Sequence, residues 1–379
     1  MQFLEQIPAT TGNAGDPMKI AHVIGSMELG GAETLVSQLC QIQRARGHAP
    51  SIYAVGPLGI LGEKMQQEGF AVQANVGRHL PDALCSFFRY FEEVRPHVVH
   101  LHNRRPTIYA ALAARMAGVS RIVSTRHSLV APPHRWVAEL KYACAARFCD
   151  CVVGICDRTT ENVKRLHTVP RRKIVRVYNG AAPLARAPEN QLPSKSGFTL
   201  LYVGRLEPVK NHALLLNAFC TALSSMPSLR LWMVGDGSQR EPLERLASEL
   251  NIATQVTFWG QQLNVSPFFS AADSFIMSSR SEGLPISLLQ AFSLGLPAIV
   301  TNVGGMAEVV RIADGGLTVS ATDPAEMSAA ILRMAGSQAE RETFSKNAAD
   351  AFRAHFTLDA MVDAYMELYT CSVKPRLAL

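Results

Sequence analysis

Short apolar segments alternate along this chain with longer segments in which apolar residues recur every three to four positions. A short apolar run predicts a buried strand, and the longer period predicts a helix that packs against it. The first such unit joins a strand at Lys19–Ile24 to a helix from Ala32 to about Arg46. Further strands are predicted at Ser51–Val55, Ala71–Val76, Val98–His102, Arg121–Thr125, Cys151–Ile155 and Ile174–Tyr178, with helices at Ala83–Val94 and Thr107–Ala117.

A Pro-containing segment poor in apolar residues interrupts this pattern at residues 181–197 and predicts an interdomain linker. A second alternating series follows it and ends in two helical stretches. The predicted elements are strands at Thr199–Val203, Arg230–Val234, Gln255–Phe258, Ser274–Met277, Ala298–Thr301 and Leu317–Val319, then helices at about Glu340–Ala354 and Asp359–Tyr369. Strands that alternate with helices are typical of doubly wound parallel sheets.

The sequence therefore predicts an α/β fold with two Rossmann-like domains that face each other across a cleft. Residues 18–180 are assigned to the first domain and residues 198–354 to the second. Residues 355–371 are expected to form a helix that crosses back to the first domain. Residues 1–17 carry no Lys or Arg and no apolar centre, so a disordered leader is expected there rather than a signal peptide.

Composition narrows the class of protein. The 379 residues are 48% hydrophobic and 18% charged, which excludes an intrinsically disordered chain. No uncharged apolar run reaches the roughly 18 residues that a spanning helix needs. Cys149, Cys151 and Cys156 cluster, but without a CxxC pair they are interpreted as buried structural residues rather than a metal site. A reducing, cytoplasmic compartment is expected.

Charge is distributed unevenly between the two halves of the chain. Residues 1–180 carry 22 Lys and Arg against 13 Asp and Glu, whereas residues 181–379 carry 15 against 18. A basic first half favours an anionic partner for that half alone. A membrane surface, a phosphorylated acceptor and a nucleic acid all remain open on this ground.

In doubly wound sheets, ligands bind outside the carboxyl ends of the strands, so the residues there are the candidates for chemistry. Gly30-Gly31 opens a helix whose bare amides could hold a phosphate, although a purely steric turn is equally consistent with it. His100 and His102 share one face of a strand, where a structural role is favoured over a metal site. His127 follows a strand end, where a histidine is suited to chemistry.

The second half carries the stronger candidates. Arg205 and Lys210 bracket a turn before a helix and supply two cations for a diphosphate. Glu282 precedes a helix that contains Gln290. If that helix begins beside Glu282, both side chains can point towards one elongated ligand. A nicotinamide dinucleotide enzyme is disfavoured, because the G-x-G-x-x-G fingerprint and its acidic partner are absent.

Taken in order, these segments resemble glycosyltransferase family 4, a retaining, nucleotide-sugar-dependent group with the GT-B fold. The resemblance covers nearly all of residues 18–369, and its last two long segments are the most specific. The matching segments are GGAE at 30–33, HLH at 100–102, His127, YNG at 178–180, GRLEPVKN at 204–211, GDG at 235–237, FWG at 258–260 and SEGLPISLLQAFSLGLPAIVTNVGG at 281–305.

The resemblance implies roles for individual residues. Arg205 and Lys210 would grip the donor diphosphate, with Gly30 and Gly31 closing over the phosphates. Glu282 would contact the donor sugar, and His127 would lie near the reacting sugar and diphosphate. The backbone that faces sugar and phosphate would be that of Gly283, Leu284, Pro285 and Ile286. Gln290 replaces the second acid of the family's E-x7-E motif, so ribose binding would lose its charge-assisted strength.

The implied function is retaining transfer of a sugar from a nucleotide-diphosphate sugar, with UDP-sugars favoured. The acceptor would be a glycan or a lipid-linked molecule in cell-surface polysaccharide or lipopolysaccharide synthesis. No D-x-D motif occurs, so no metal and no cofactor is expected. The enzyme would be cytoplasmic, and its basic first domain would allow peripheral contact with the anionic inner face of a membrane.

Three alternatives remain from the sequence. The chain could be a catalytically reduced sugar-nucleotide-binding partner of a biosynthetic complex, which the replacement at Gln290 favours. It could also be a GT-B hydrolase or epimerase that uses no sugar acceptor. A nucleic-acid binder is the weakest alternative, because it leaves the phosphate-binding turns of the second half without a role, and no nucleic-acid partner is expected.

Overall fold

The computed structural model describes residues 17–28, 30–74, 79–129 and 136–370. The leader predicted over residues 1–17 lies outside this range except for Pro17, and so does the last residue of the segment predicted to end at 371. The strands are β1 (Lys19–Ile24), β2 (Ala49–Ala54), β3 (Ala71–Ala74), β4 (Val98–His102), β5 (Arg121–Arg126), β6 (Cys151–Gly154), β7 (Ile174–Arg176), β8 (Thr199–Val203), β9 (Arg230–Val234), β10 (Val256–Gly260), β11 (Ser274–Met277), β12 (Ala298–Thr301) and β13 (Gly316–Val319).

Helices connect these strands, as the alternating pattern predicts. The five helices whose limits the sequence predicted begin and end within three residues of those limits. The helices are α1 (Gly31–Ala45), α2 (Gly59–Gln67), α3 (Leu80–Val94), α4 (Arg104–Met116), α5 (Trp136–Ala146), α6 (Asp157–Arg165), α7 (His212–Ser225), α8 (Arg240–Glu249), α9 (Ser266–Ala271), α10 (Ile286–Ser293), α11 (Gly304–Ala313), α12 (Pro324–Gly336), α13 (Gln338–His355) and α14 (Leu358–Thr370).

Over the described ranges the strands form two parallel sheets. The first has the order β3-β2-β1-β4-β5-β6-β7 and the second the order β10-β9-β8-β11-β12-β13. Every residue of β4, β6, β11 and β12 is buried, because helices cover both faces of a parallel sheet and leave no face for water. The strand order reverses between β1 and β4 in the first sheet and between β8 and β11 in the second.

Packing divides the chain into two compact units. One contains Met1–Ser124 and Cys144–Asp150, and the other contains Thr125–Ala143 and Cys151–Leu379. This division falls within β5, so the domain boundaries drawn from the sequence stay predictions. No described helix combines the length and the apolar character needed to cross a bilayer. Cys149, Cys151 and Cys156 are buried, as the sequence analysis expects.

Three histidines form a buried cluster on the first sheet. His22 of β1 lies in register with His100 of β4, and His102 stacks beside them with ring centroids 4.0 Å from His100 and 5.3 Å from His22. A nitrogen of His22 lies 3.1 Å from one of His102, and its other nitrogen lies 2.8 Å from Gln43 Oε1. The sequence predicted the pair on β4 but missed His22, since its partner strand is far away along the chain.

The cluster is a hydrogen-bonded, buried group. Its ring nitrogens lie within 4.8 Å of one another, a spacing that could also hold a metal ion. All three side chains are at most 2% exposed, and burial lowers the pKa of His22 to about 4. The hydrogen bond between His22 and His102 joins β1 to β4, so the cluster contributes to the packing of the first sheet.

Acid should destabilise the protein through this cluster. The pKa of His22 is about 4 when folded and 6.5 when unfolded, so the stability it contributes is complete above about pH 6.5. That stability is lost as the pH falls from 6.5 towards 4, because the unfolded state then binds the proton more readily. We expect a loss on the order of 2 kcal/mol from His22 between pH 7 and pH 5, measured by urea unfolding at each pH.

The matched variants are His22→Asn and His355→Asn. His355 is exposed on α13, so its replacement should leave the pH dependence of the urea midpoint unchanged. His22→Asn should flatten that dependence whatever its effect on the midpoint at pH 7. An identical slope in the wild type and in His22→Asn would contradict the assignment.

Candidate active site

The second sheet places the predicted charged residues around its change of strand order. Arg205 and Lys210 follow β8, and Glu282 follows β11, the two strands between which the order reverses. Loops at such a point diverge to opposite sides of the sheet and leave a crevice at the carboxyl ends, where ligands bind in open α/β sheets. The structure therefore brings these three residues to one edge of one sheet.

Lys210 and Glu282 form an ion pair between Nζ and Oε1, and each side chain is 15% exposed. Ser279 Oγ also donates to Glu282 Oε1 over 3.1 Å. The backbones of the two loops are tied as well, because Ser278 Oγ donates to the carbonyl oxygen of Lys210 over 2.9 Å. The predicted diphosphate cation and the predicted sugar-binding acid thus neutralise each other in the ligand-free chain.

Arg205 differs from Lys210 in its surroundings. Arg205 is exposed. Its backbone carbonyl oxygen accepts a hydrogen bond of 3.0 Å from Tyr202 Oη, which fixes the backbone of the turn. Within the part of the chain that the structure describes, no acidic side chain pairs with its guanidinium. Arg205 is therefore available to an anion without first giving up a protein partner.

The loop of residues 281–285 is held by close backbone contacts that exclude side chains. A Cβ atom on Gly283 would overlap the carbonyl oxygen of His127. Gly304 has a φ of +56°, and a Cβ there would overlap the carbonyl oxygen of Glu282. Gly305 N donates to Gly283 O over 2.6 Å. Glycine is required at these positions because backbone packs directly on backbone.

Helix α10 begins at Ile286, so the condition under which Glu282 and Gln290 would point towards one ligand, a helix that begins beside Glu282, is not met. The carbonyl oxygens of Gly283 and Leu284 accept from Gly305 N and from Asn179 Nδ2 rather than from amides of a helix. These tertiary partners keep Gly283 and Leu284 outside α10, so the helix begins only after Pro285. Gln290 lies in the second turn of α10 and is partly exposed.

His127 directly follows β5 and belongs to the same compact unit as the loop of residues 281–285. Part of the residue is exposed, but its imidazole lies inside the protein, and this desolvation lowers its pKa to about 4. The ring is therefore neutral at pH 7. It can offer a hydrogen bond to a substrate there but not a positive charge.

Gly30 and Gly31 belong to the other compact unit. Gly30 precedes α1 in an extended conformation without a side-chain cap, and Gly31 is the first residue of the helix. A Cβ on Gly31 would meet no described atom within 4 Å. Crowding by the described residues therefore does not require glycine there.

Glu308 is a residue to which the sequence analysis assigned no role. Its carboxylate accepts hydrogen bonds from the amides of Asp157 (2.9 Å) and Arg158 (3.3 Å), at the start of α6. Tyr178 Oη donates to the same carboxylate over 2.7 Å, and burial together with Glu308 raises the pKa of this phenol. A carboxylate at a helix N-terminus is favoured by the helix dipole, so Glu308 ties α11 to α6.

Comparisons with known proteins agree with this architecture. The model of the family "Glycosyltransferase Family 4" matches residues 29–183, and that of "Glycosyl transferases group 1" matches residues 186–351. The lipopolysaccharide core biosynthesis glycosyltransferase LpsD of Rhizobium meliloti is 33% identical over 196 residues, which is 52% of this chain but only 55% of LpsD.

Two further proteins extend the likeness over more of the chain. The Escherichia coli UDP-Gal:alpha-D-GlcNAc-diphosphoundecaprenol alpha-1,3-galactosyltransferase is 25% identical over 311 residues, 76% of this chain and 78% of the relative. The crystal structure of Anabaena HepE in complex with UDP superimposes on this chain with a TM-score of 0.82. The alignment covers 92% of this chain and 99% of HepE, and the sequences are 18% identical. The two family models together match most of the residues, and the chain belongs to glycosyltransferase family 4 and has the GT-B fold.

Proposed function

We propose that this chain is a retaining hexosyltransferase that transfers a sugar from a nucleotide-diphosphate sugar to a glycan or lipid-linked acceptor. The acceptor would belong to lipopolysaccharide or another cell-surface polysaccharide. The observation that carries the proposal is the Lys210–Glu282 pair at the strand-order reversal, with the exposed Arg205 on the neighbouring turn. The names of the relatives LpsD and the E. coli galactosyltransferase support the lipopolysaccharide or polysaccharide assignment.

Arg205 and Lys210 would stabilise the charge that develops on the departing diphosphate. Preorganised cations in a partly desolvated site do this without reorganisation at the moment of reaction. Binding of the diphosphate to Lys210 would release Glu282 towards the donor sugar. The leaving diphosphate would then assist deprotonation of the acceptor, which gives transfer with retention. The neutral imidazole of His127 would position the sugar through a hydrogen bond.

A UDP-sugar is the favoured donor. The E. coli relative is named as a UDP-Gal transferase, and the HepE structure contains UDP. Gln290 would hold the ribose through its amide in place of a carboxylate, with weaker hydrogen bonds. Gly30 and Gly31 would approach the phosphates, which the open space around Gly31 supports. The chain's lack of a D-x-D motif supports a reaction without a metal.

We further propose that the enzyme is cytoplasmic and docks on an anionic membrane surface through α5. The outward side of this helix carries Trp136, Val137 and Leu140, which are 65%, 70% and 65% exposed. Its inward side is anchored by Glu139, which pairs with the buried Arg126 over 3.4 Å. A helix fixed by one face and apolar on the other is suited to lie in a bilayer interface.

The charge around α5 favours a lipid surface over a protein partner. Lys141 and Arg147 are exposed on and just after the helix, so cations accompany the apolar side chains. The net charge of residues 1–180 is also positive. Each Lys or Arg close to an anionic surface contributes about 1 kcal/mol.

A thermal-shift screen with UDP, GDP, ADP and their sugar conjugates tests the donor site. A ligand at about 100 times its dissociation constant should add ~2.7 kcal/mol to the free energy of unfolding. We expect stabilisation by UDP compounds that survives EDTA and is lost in Arg205→Ala and Lys210→Ala. No response to any nucleotide would favour the catalytically reduced partner. Stabilisation followed by free sugar or an epimer as product would favour the hydrolase or epimerase.

Replacing Glu282 by Gln should separate nucleotide binding from transfer. Removal of the carboxylate frees Lys210 and takes a negative charge away from the diphosphate, so we expect UDP to bind several-fold more tightly. Sugar transfer should fall by about two orders of magnitude or more, since the acid proposed to contact the sugar is lost. Isothermal titration with UDP and a transfer assay measure the two effects. Weaker UDP binding in this variant would contradict the proposed competition.

Vesicle sedimentation tests the membrane proposal. The wild type should pellet with vesicles that contain anionic phospholipid and not with purely zwitterionic ones, and salt should weaken the binding. The double variant Val137→Ser/Leu140→Ser should remain in the supernatant. The matched control is Leu263→Ser, which removes an apolar side chain that is 94% exposed between β10 and α9. Equal pelleting with both vesicle types would rule out this docking mode.

A further inference from the structure

The YNG motif at residues 178–180 has no place in the donor chemistry described so far. Strand β7 ends at Arg176, two residues before the predicted end at Tyr178. The motif therefore lies just outside the sheet. We propose that Asn179 is a positioning residue that holds the loop of residues 281–285 in the shape required for donor binding. This inference rests on the proposed function, because it assigns Asn179 a role in that same donor site.

Among the described residues, the side chain of Asn179 makes one hydrogen bond, and its partner is in the loop. The residue is 4% exposed, and its Nδ2 donates to the carbonyl oxygen of Leu284 over 3.1 Å. A carbonyl oxygen can only accept, so the amide nitrogen must face Leu284. Its Oδ1 is buried without a partner among the described residues.

The neighbours of Asn179 fix the place from which it donates. Tyr178 Oη binds Glu308 over 2.7 Å. A Cβ on Gly180 would overlap the carbonyl oxygen of Thr357, and Ala181 N donates to Phe356 O over 3.0 Å. The backbone is thus held on both sides of Asn179, and its side chain has little freedom to follow a displaced loop.

Three consecutive carbonyls of the loop are constrained by different parts of the fold. The carbonyl of Glu282 packs on Gly304, that of Gly283 accepts from Gly305 N, and that of Leu284 accepts from Asn179. The first two constraints are made by backbone. Asn179 constrains the loop through its side chain, as does Cys156, whose Sγ lies 3.9 Å from Gly283 O. Asn179 can be altered without adding volume. Loss of the hydrogen bond from Asn179 should let Leu284 move. Glu282, two residues earlier, should then be held less firmly in its position.

The test compares Asn179→Asp with the wild type. Asp has the same shape as Asn, but its ionised side chain has no hydrogen-bond donor. Its carboxylate would therefore repel the carbonyl oxygen of Leu284. We expect the KM for the sugar nucleotide and the Kd for UDP to rise about tenfold, which corresponds to ~1.4 kcal/mol, with a smaller change in kcat. As the pH is lowered from about 8 to about 6, the variant should recover relative to the wild type, because a protonated buried carboxyl can donate to Leu284.

Hydrogen exchange of the peptide that spans residues 281–288 gives a readout that needs no nucleotide. We expect faster exchange there in Asn179→Asp and in Asn179→Ala, the second variant serving if the first does not fold. The matched control is Asn347→Ala, which removes an amide bonded to the carbonyl of Asp314 over 3.1 Å. It should change neither exchange in this peptide nor the KM.

These outcomes test the positioning role of Asn179 separately from the proposed sugar transfer. Unchanged exchange at residues 281–288 overturns the positioning role. Faster exchange with an unchanged Kd for UDP overturns the link to donor binding. A wild type that binds no nucleotide contradicts the proposed function, and the exchange comparison still decides whether Asn179 holds the loop.

Discussion

The candidate site depends first on how closely backbone can approach backbone around Glu282. A Cβ on Gly304 would overlap the carbonyl of Glu282, and one on Gly283 would overlap the carbonyl of His127. Only because both positions lack a side chain can the loop run close enough to place the Glu282 carboxylate on Lys210. The steric constraint therefore precedes the electrostatic one. Glycine adds conformational entropy to the unfolded chain, a cost that the packing around this loop must offset.

Burial then decides which groups carry charge. Desolvation lowers the pKa values of His22, His127 and His212 to about 4, 4 and 3, so these rings are neutral at pH 7. Positive charge for an anionic ligand is left to Arg205 and Lys210. Pairing Lys210 with Glu282 keeps a partly buried cation compensated until a ligand arrives. Breaking such a pair by removing one partner leaves an uncompensated charge.

Sequence reasoning located the strands most accurately where apolar residues predominate. Lys19–Ile24, Val98–His102 and Thr199–Val203 have the same bounds in the structure, because the strands of a parallel sheet covered on both faces favour apolar residues. It left open where α10 begins. There Gly305 and Asn179 take the carbonyls of Gly283 and Leu284, and no local pattern announces partners so distant in the chain.

The sequence by itself determined the order of the elements, the resemblance to a family and the residue types at the strand ends. Periodicity and motif spacing express local geometry, so they can be read without knowing the fold. Only the tertiary structure decided the partners: Lys210 with Glu282, Asn179 with Leu284 and His22 with His102, which are separated by 72, 105 and 80 residues. Such pairs depend on where the strand order reverses and on how loops pack at the sheet edge, and those features arise from packing along the whole chain.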